Sequence, residues 1–191
     1  MIVCETPRLR LRHLLDTDAA FILELLNEPD FIRNIGDREV RTLDDARRYI
    51  QHGPVASYSQ HGFGLFLVEL QDSAAPIGIC GLLKRDYLDD VDVGFAVRES
   101  FRGKGYAFEA ANAVMQLGQQ VLGLGRIVAI TSPDNHASMS VLRRLGLEFE
   151  RTIRIPEQSR DTRLFTPAVR SLLSTSGHSD EEKPDEKAEA G

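Results

Sequence analysis

Tryptophan is absent from this chain of 191 residues, and cysteine occurs only twice, as Cys4 and Cys80. Neither thiol has a neighbour at metal-ligand spacing, so we expect both to be reduced and structural, and we predict no metal site. The N-terminus, MIVCETPRLRLR, lacks the apolar segment of a secretory leader, and no stretch reaches the roughly 18 apolar residues of a membrane span. These absences predict a cytoplasmic protein with no membrane partner.

An excess of positive charge is also lacking, because the formal net charge is -6. This balance argues against binding nucleic acid through a broad basic surface, although a local basic pocket is still compatible with it. The length predicts one domain, which we place at residues 1–172. From about Ser174 the chain has no large apolar residue and is mostly acidic and small. We therefore predict a disordered acidic tail at residues 173–191.

Apolar periodicity gives the order of the elements. Strands are predicted at 8–14, 64–70, 76–84, 91–97, 126–131, 147–155 and 162–167. Helices are predicted after Asp16, after Thr42 (where Asp45 completes a capping box), from Tyr106 to about Val121, and after Asn135. Three successive strands without intervening helices are typical of an antiparallel meander. The whole order predicts an α+β fold with a central mixed, mostly antiparallel sheet flanked by helices.

A glycine-rich turn joins the strand at 91–97 to the helix that begins at Tyr106. Unpaired N–H groups and the positive end of the helix dipole favour an anion at such a helix start. Gly103 and Gly105 would let a pyrophosphate approach the backbone, and Arg102 and Lys104 add positive charge. A nucleotide P-loop would need Ser or Thr after Gly-Lys, and a dinucleotide fingerprint would need a third glycine. A plain strand-to-helix turn is the simplest alternative.

Two motifs resemble the Gcn5-related N-acetyltransferase (GNAT) superfamily. Arg102, Gly105 and Ala107 match its pyrophosphate loop, Arg/Gln-x-x-Gly-x-Gly/Ala. About thirty residues later, Asn135 and Ser138 match its Asn-x-x-(Ala/Ser), which opens a helix that ends at Gly146-Leu147. The opening segment TPRLRLR looks like the branch that contains the Rim-type ribosomal-protein N-terminal acetyltransferases. The resemblance covers roughly residues 5–166.

The resemblance implies a GNAT fold whose sheet is splayed between the fourth and fifth predicted strands, 91–97 and 126–131. Acetyl-CoA would bind in this gap, without a metal. The implied acetyl-CoA-binding residues are Phe95, Ala96 and Val97 through their main chain, Arg102, Gly103, Lys104, Gly105, Tyr106 and Ala107 through their N–H groups, and the side chain of Asn135. Arg143 or Arg144 could lie near the nucleotide end.

Two residues are candidates for proton transfer. The acceptor amine must lose a proton before it can attack, and Asp92 stands where many family members carry Glu, so we nominate it as the base, acting directly or through water. The alternative is an ordinary solvent-facing strand residue. The frequent family Tyr would fall at Leu142, so we favour Ser138 as the proton source for the departing thiolate. Ser138 could instead cap its helix, and the thiolate could leave unaided.

The acceptor is not dictated by any motif. The resemblance implies an amine, either a protein N-terminus or a small molecule such as an antibiotic, polyamine or amino acid, and a homodimer that closes the pocket would favour the latter. Arg33, Asp37 and Arg38 in the loop at 31–41 could meet substrate, although charged loops are usually just solvated. Transfer of another acyl group, such as succinyl, is a variant. A CoA-binding module without catalysis is the alternative outside enzymes.

Overall fold

The computed structural model describes residues 1–155 and 161–168, in which eight strands form one sheet with helices on both faces. The strands are β1 (Ile2–Glu5), β2 (Leu9–Arg12), β3 (Leu65–Leu70), β4 (Pro76–Leu83), β5 (Val91–Val97), β6 (Ile127–Thr131), β7 (Leu147–Arg154) and β8 (Asp161–Pro167). The helices are α1 (Ala19–Leu26), α2 (Pro29–Asn34), α3 (Leu43–Ile50), α4 (Ala56–His61), α5 (Tyr106–Gln120) and α6 (His136–Arg144). None of these helices is long and apolar enough to cross a bilayer.

The strand order is β1-β2-β3-β4-β5-β6-β8-β7, and every neighbouring pair is antiparallel except β5 and β6. This confirms the predicted α+β class and the mostly antiparallel sheet. One apolar core lies between the sheet and α5 and α6, while a second core on the other face packs α1, α2 and α3 against β3 and β4. Alternation along β3 supplies both cores, since Phe66 and Val68 enter the first and Leu67 enters the second.

The sheet opens between β5 and β6. These strands pair only at Val91 with Ile127 and at Asp92 with Val128, and beyond this point no strand of the described residues pairs with β5 on that side. Because β1 was not predicted, β5 and β6 correspond to the fourth and fifth predicted strands. The predicted splay between those two strands is therefore confirmed. The opening gives β5 a free main-chain edge that faces a cleft.

Helix α5 lies close to the sheet on the first core. Its apolar face includes Ala110, Ala111 and Val114, which are almost fully buried. A Cβ at Gly118 would come within 2.8 Å of Ile127 Cδ1 and 3.0 Å of Leu82 Cδ1, so glycine allows this approach. This close contact packs the last turn of α5 against β4 and β6.

The structure confirms one predicted helix start and corrects another. The capping box is confirmed, since Thr42 Oγ1 accepts from the Asp45 N–H and Asp45 Oδ2 accepts from the Thr42 N–H. In contrast, Asp16 begins a short 3-10 turn, and α1 starts only at Ala19. Strand β1 and helix α2 were not predicted. The predicted tail, 173–191, lies outside the described residues.

Candidate active site

A cleft of about 940 Å³ opens where β5 and β6 diverge. It is lined by β5, the first turn of α5, the first turns of α6, helix α2, the end of α3 and the loop between β4 and β5. All of the residues predicted to bind acetyl-CoA or to catalyse transfer line this cleft except Lys104. The structure thus brings together two sequence motifs that are about thirty residues apart.

The turn before α5 has the backbone that the glycines allow. Gly103 and Gly105 have φ angles of +75° and +81°, a region that other L-residues rarely adopt. A Cβ on Gly103 would meet nothing within 4 Å, so the requirement is conformational rather than steric. The N–H groups of Tyr106, Ala107 and Phe108 donate to no acceptor in the described chain and line the cleft. They form an anion-binding helix start.

The N-terminal segment braces this turn from behind. Arg8 donates to the carbonyl of Lys104 at 2.9 Å and to Glu109 Oε2 at 2.7 Å, and its guanidinium lies 4.6 Å from the centre of the Tyr106 ring. Thr6 Oγ1 donates to Glu109 Oε1 at 2.6 Å. Sequence reasoning missed Glu109, whose carboxylate joins α5 to the segment before β2. Burial would raise the pKa of Glu109, but the hydrogen bonds from Thr6 and Arg8 lower it overall.

The side chain of Arg102 is engaged by α2. It pairs with Glu28 at 2.6 Å and also with Asp30, and its Nε donates to the Val97 carbonyl at 2.9 Å. The N–H of Arg102 donates to the Glu99 carbonyl at 3.1 Å. Both groups therefore already have partners within the protein, so the N–H groups open to an anion lie later in the turn.

The second motif forms the start of α6. Asn135 is the N-cap residue, and its Oδ1 accepts from the Ser138 N–H at 3.0 Å. The cap thus uses the backbone of Ser138, while the Ser138 hydroxyl has no partner among the described residues and faces the cleft. The alternative that the Ser138 side chain caps the helix is wrong, because Asn135 has that role.

Comparison with known proteins agrees with this geometry. The family model for the acetyltransferase (GNAT) domain matches residues 8–148. The chain belongs to the GNAT family. It is therefore an acyltransferase, as the sequence predicted. YkkB, an uncharacterised protein of Bacillus subtilis (strain 168), is 29% identical over 154 residues, which cover 78% of this chain and 87% of YkkB.

Solved structures share the GNAT fold at low identity. An acetyltransferase from Agrobacterium tumefaciens str. C58 has a TM-score of 0.74 at 23% identity, covering 87% of this chain and 93% of its own. RimL, a ribosomal L7/L12 alpha-N-protein acetyltransferase solved in complex with coenzyme A, has a TM-score of 0.75 at 18% identity, covering 87% and 97%. At these identities both likenesses show the fold alone, and the Rim-like branch stays a prediction.

Asp92 lies at the inner end of this GNAT cleft. Its side chain is 1% exposed and its Oδ1 accepts from Arg85 Nε at 2.8 Å. Arg85 also donates to the Tyr87 hydroxyl at 3.1 Å. Burial raises the pKa of Asp92, against the opposing charge and hydrogen bond of Arg85. The alternative that Asp92 is a solvent-facing strand residue is wrong.

The two ends of the cleft differ in chemistry. At one end, the Arg144 guanidinium lies 4.2 Å from the centre of the Phe108 ring, and both residues line the cleft, whereas Arg143 borders a separate surface hollow. Leu142, at the position of the frequent family Tyr, is buried against the cleft. At the other end, beyond Asp92, the cleft is lined by tyrosine and basic side chains from α3 and from two loops.

Proposed function

We propose that the protein transfers the acetyl group of acetyl-CoA to a primary amine by direct attack in a ternary complex. The observation that carries the proposal is the cleft in which a free edge of β5 meets the unpaired N–H groups of α5. An extended arm could bind along the strand edge like an added strand, while a pyrophosphate could bind at the helix start. RimL, which has the same fold, was solved with coenzyme A.

The residues present fit acetyl-CoA. The main chain of Phe95, Ala96 and Val97 would bind the pantetheine arm along β5, and the N–H groups from Gly103 to Ala107 would hold the pyrophosphate. Asn135 would order the site as the α6 cap, since it also lines the cleft. Bound acetyl-CoA supplies an activated thioester, and the protein supplies orientation and proton transfer.

Proton transfer is assigned to two side chains on opposite walls. Asp92 accepts the proton of the acceptor amine, directly or through a water, because a protonated amine has no lone pair. Its raised pKa makes its carboxylate a better base than an exposed aspartate. Ser138 offers its free hydroxyl as a donor toward the thiolate. Free N–H groups on the edge of β5 would stabilise developing negative charge on the acyl oxygen.

The acceptor class is part of the proposal. The name of RimL assigns that protein to N-terminal acetylation of a ribosomal protein, and a protein N-terminus is one acceptor that we propose here. A small-molecule amine is the second, favoured by the enclosed polar groups beyond Asp92. We also propose a cytoplasmic location, in keeping with two free cysteines.

The test is release of free thiol from acetyl-CoA against peptides and small amines, with calorimetric titration of acetyl-CoA alongside. We expect saturable binding and turnover on one acceptor class. Binding without turnover on any amine would favour a CoA-binding module, and faster turnover with succinyl-CoA would change the acyl group. Absence of binding would overturn the proposal, because the turn at 102–107 would then be only a connection.

A further inference from the structure

Basic and phenolic side chains surround the cleft beyond Asp92. We call this region the acceptor basin and define it by the residues Arg38, Tyr49, Lys84, Arg85 and Tyr87, all of which line the cleft. They come from three parts of the chain: the loop before α3, helix α3 itself, and the loop between β4 and β5. Since the acetyl-CoA elements lie on the other side of Asp92, this basin is where an acceptor would lie.

Arg38 differs from the arginines around it. Arg33 pairs with Asp30, and Arg41 pairs with Asp37. Within the described ranges, no carboxylate or carbonyl oxygen lies within ion-pair or hydrogen-bond distance of Arg38, although its side chain faces the cleft. An arginine carries five N–H donors in a planar fork that suits a carboxylate. The basin therefore contains a fork of donors without an internal acceptor.

The charge of the basin is positive after its internal pairs are removed. Arg85 is neutralised by Asp92 at 2.8 Å. The ammonium of Lys84 donates to the carbonyl oxygens of Leu88 at 3.1 Å and Asp89 at 2.7 Å, which engages two of its three donors without cancelling its charge. Lys84 and Arg38 thus remain without a carboxylate partner in the part of the chain that the structure describes.

Tyr49 lines the same cleft as Arg38 and Arg85. Burial raises the pKa of its phenol, and the positive charges of Arg38 and Arg85 oppose that shift. The Tyr49 hydroxyl has no hydrogen-bond partner among the described residues. Since Tyr49 also lines the cleft, it adds a further donor without an internal acceptor to the basin.

We propose that the acceptor is an amine that carries a carboxylate a few bonds away, with the carboxylate held by Arg38 and Tyr49 and the amine directed toward Asp92. This inference rests on the proposed amine acetylation and names its substrate class. A positive basin binds a carboxylate and repels a polycation, so polyamines are disfavoured. It also disfavours the ammonium form of the acceptor, which helps the amine to reach Asp92 unprotonated.

Matched acceptors test the inference in the intact protein. Two sources of such a carboxylate are a free amino acid and a peptide N-terminus with an acidic second residue. The first arm compares alanine with alaninamide. The second arm compares two tripeptide amides that differ only at the second position, which is aspartate in one and asparagine in the other. Spermidine serves as the polycation. We expect kcat/KM to favour the acid over its amide on the order of tenfold in one arm, as for one added charge-assisted hydrogen bond.

Arg38→Gln is the diagnostic variant, and Arg47→Gln is its control. Arg47 is an exposed arginine on α3 that pairs with Asp44 and does not line the cleft. We expect Arg38→Gln to raise KM for the preferred acid roughly tenfold, while kcat, KM for acetyl-CoA and KM for the amide stay the same. Arg47→Gln should change none of them.

The outcomes separate the two proposals. Turnover on amines with equal preference for acid and amide, or with spermidine preferred, would overturn the carboxylate-bearing acceptor and leave amine acetylation standing. A loss in Arg38→Gln that is equal for acid and amide would also overturn it, since a structural role would affect both. No thiol release with any amine would refute amine acetylation itself.

Discussion

Replacing Asp92 with Asn should damage stability and catalysis by separate mechanisms. Breaking a fully buried ion pair costs about 3–5 kcal/mol. Here Arg85 is 24% exposed and bonds Tyr87, and an asparagine keeps an oxygen that can accept from Arg85 Nε. We therefore expect a loss of about 2 kcal/mol. For a domain of this size, that lowers the thermal midpoint by about 4–8 °C.

The catalytic effect should be larger and should depend on pH. A general base contributes about 10²- to 10⁴-fold, so kcat/KM of Asp92→Asn should fall by this amount at a temperature well below both unfolding transitions. The wild-type rate should fall as pH drops through the raised pKa of Asp92, because only the carboxylate accepts a proton. Arg85→Gln removes the charge that lowers this pKa. The acid limb of the profile should then move to higher pH.

The assay is thiol release across the pH range in which each variant stays folded. The acceptor is an amine that carries no other ionisable group. Glu69→Gln is the matched control, since Glu69 is a buried carboxylate paired with Arg12 at 2.8 Å outside the cleft. It should lose stability and keep its activity. If Asp92→Asn lowers the midpoint but keeps the wild-type kcat/KM and pH profile, Asp92 is only the structural partner of Arg85 and the assigned base is wrong.

Three further variants test the acetyl-CoA side of the cleft. Gly105→Ala should lower the free energy of unfolding by about 1 kcal/mol, because the φ angle of Gly105 is +81°. It should also weaken acetyl-CoA binding roughly fivefold in a calorimetric titration. Unchanged affinity would argue against a pyrophosphate at this turn. Ser138→Ala should lower kcat roughly tenfold and keep its thermal midpoint, because the cap bond uses the Ser138 N–H; a drop in midpoint alone would refute the donor role. Asn135→Ala should lose about 1 kcal/mol of stability by thermal unfolding, and an unchanged midpoint would contradict the cap.

The parts of the fold that could be predicted from the sequence have strong local patterns. Strands β3 to β6 and helices α5 and α6 lie within a few residues of their predicted bounds, since each carries a clear apolar pattern and a glycine follows both helices. Helix α2 was not predicted, although Pro29 occupies its first position, where proline is favoured. Strand β1 has four partly exposed residues and no pattern of its own.

The ion pairs of the site could not be predicted in the same way. Glu109 meets Arg8 across 101 residues, and Arg102 meets Glu28 across 74 residues, so no local pattern marks either contact. The pair of Arg85 and Asp92 is different. Arg85 lies in the β4–β5 loop, seven residues before Asp92, and Leu83 lies opposite Asp92, so the predicted antiparallel pairing contained enough information to suggest this ion pair.

The free edge of β5 argues for a ligand more strongly than the motif does. An unpaired strand edge inside a sheet leaves main-chain groups without partners, and proteins usually protect exposed edges with charge or short length. The outer strand β7 follows that rule, since it is mostly exposed and carries Glu148, Arg151 and Arg154. The open part of β5 is Gly94-Phe95-Ala96-Val97, which is half-buried and uncharged. The main-chain groups of this uncharged edge are available for pairing with an extended ligand, and the pantetheine arm is a group of the right shape.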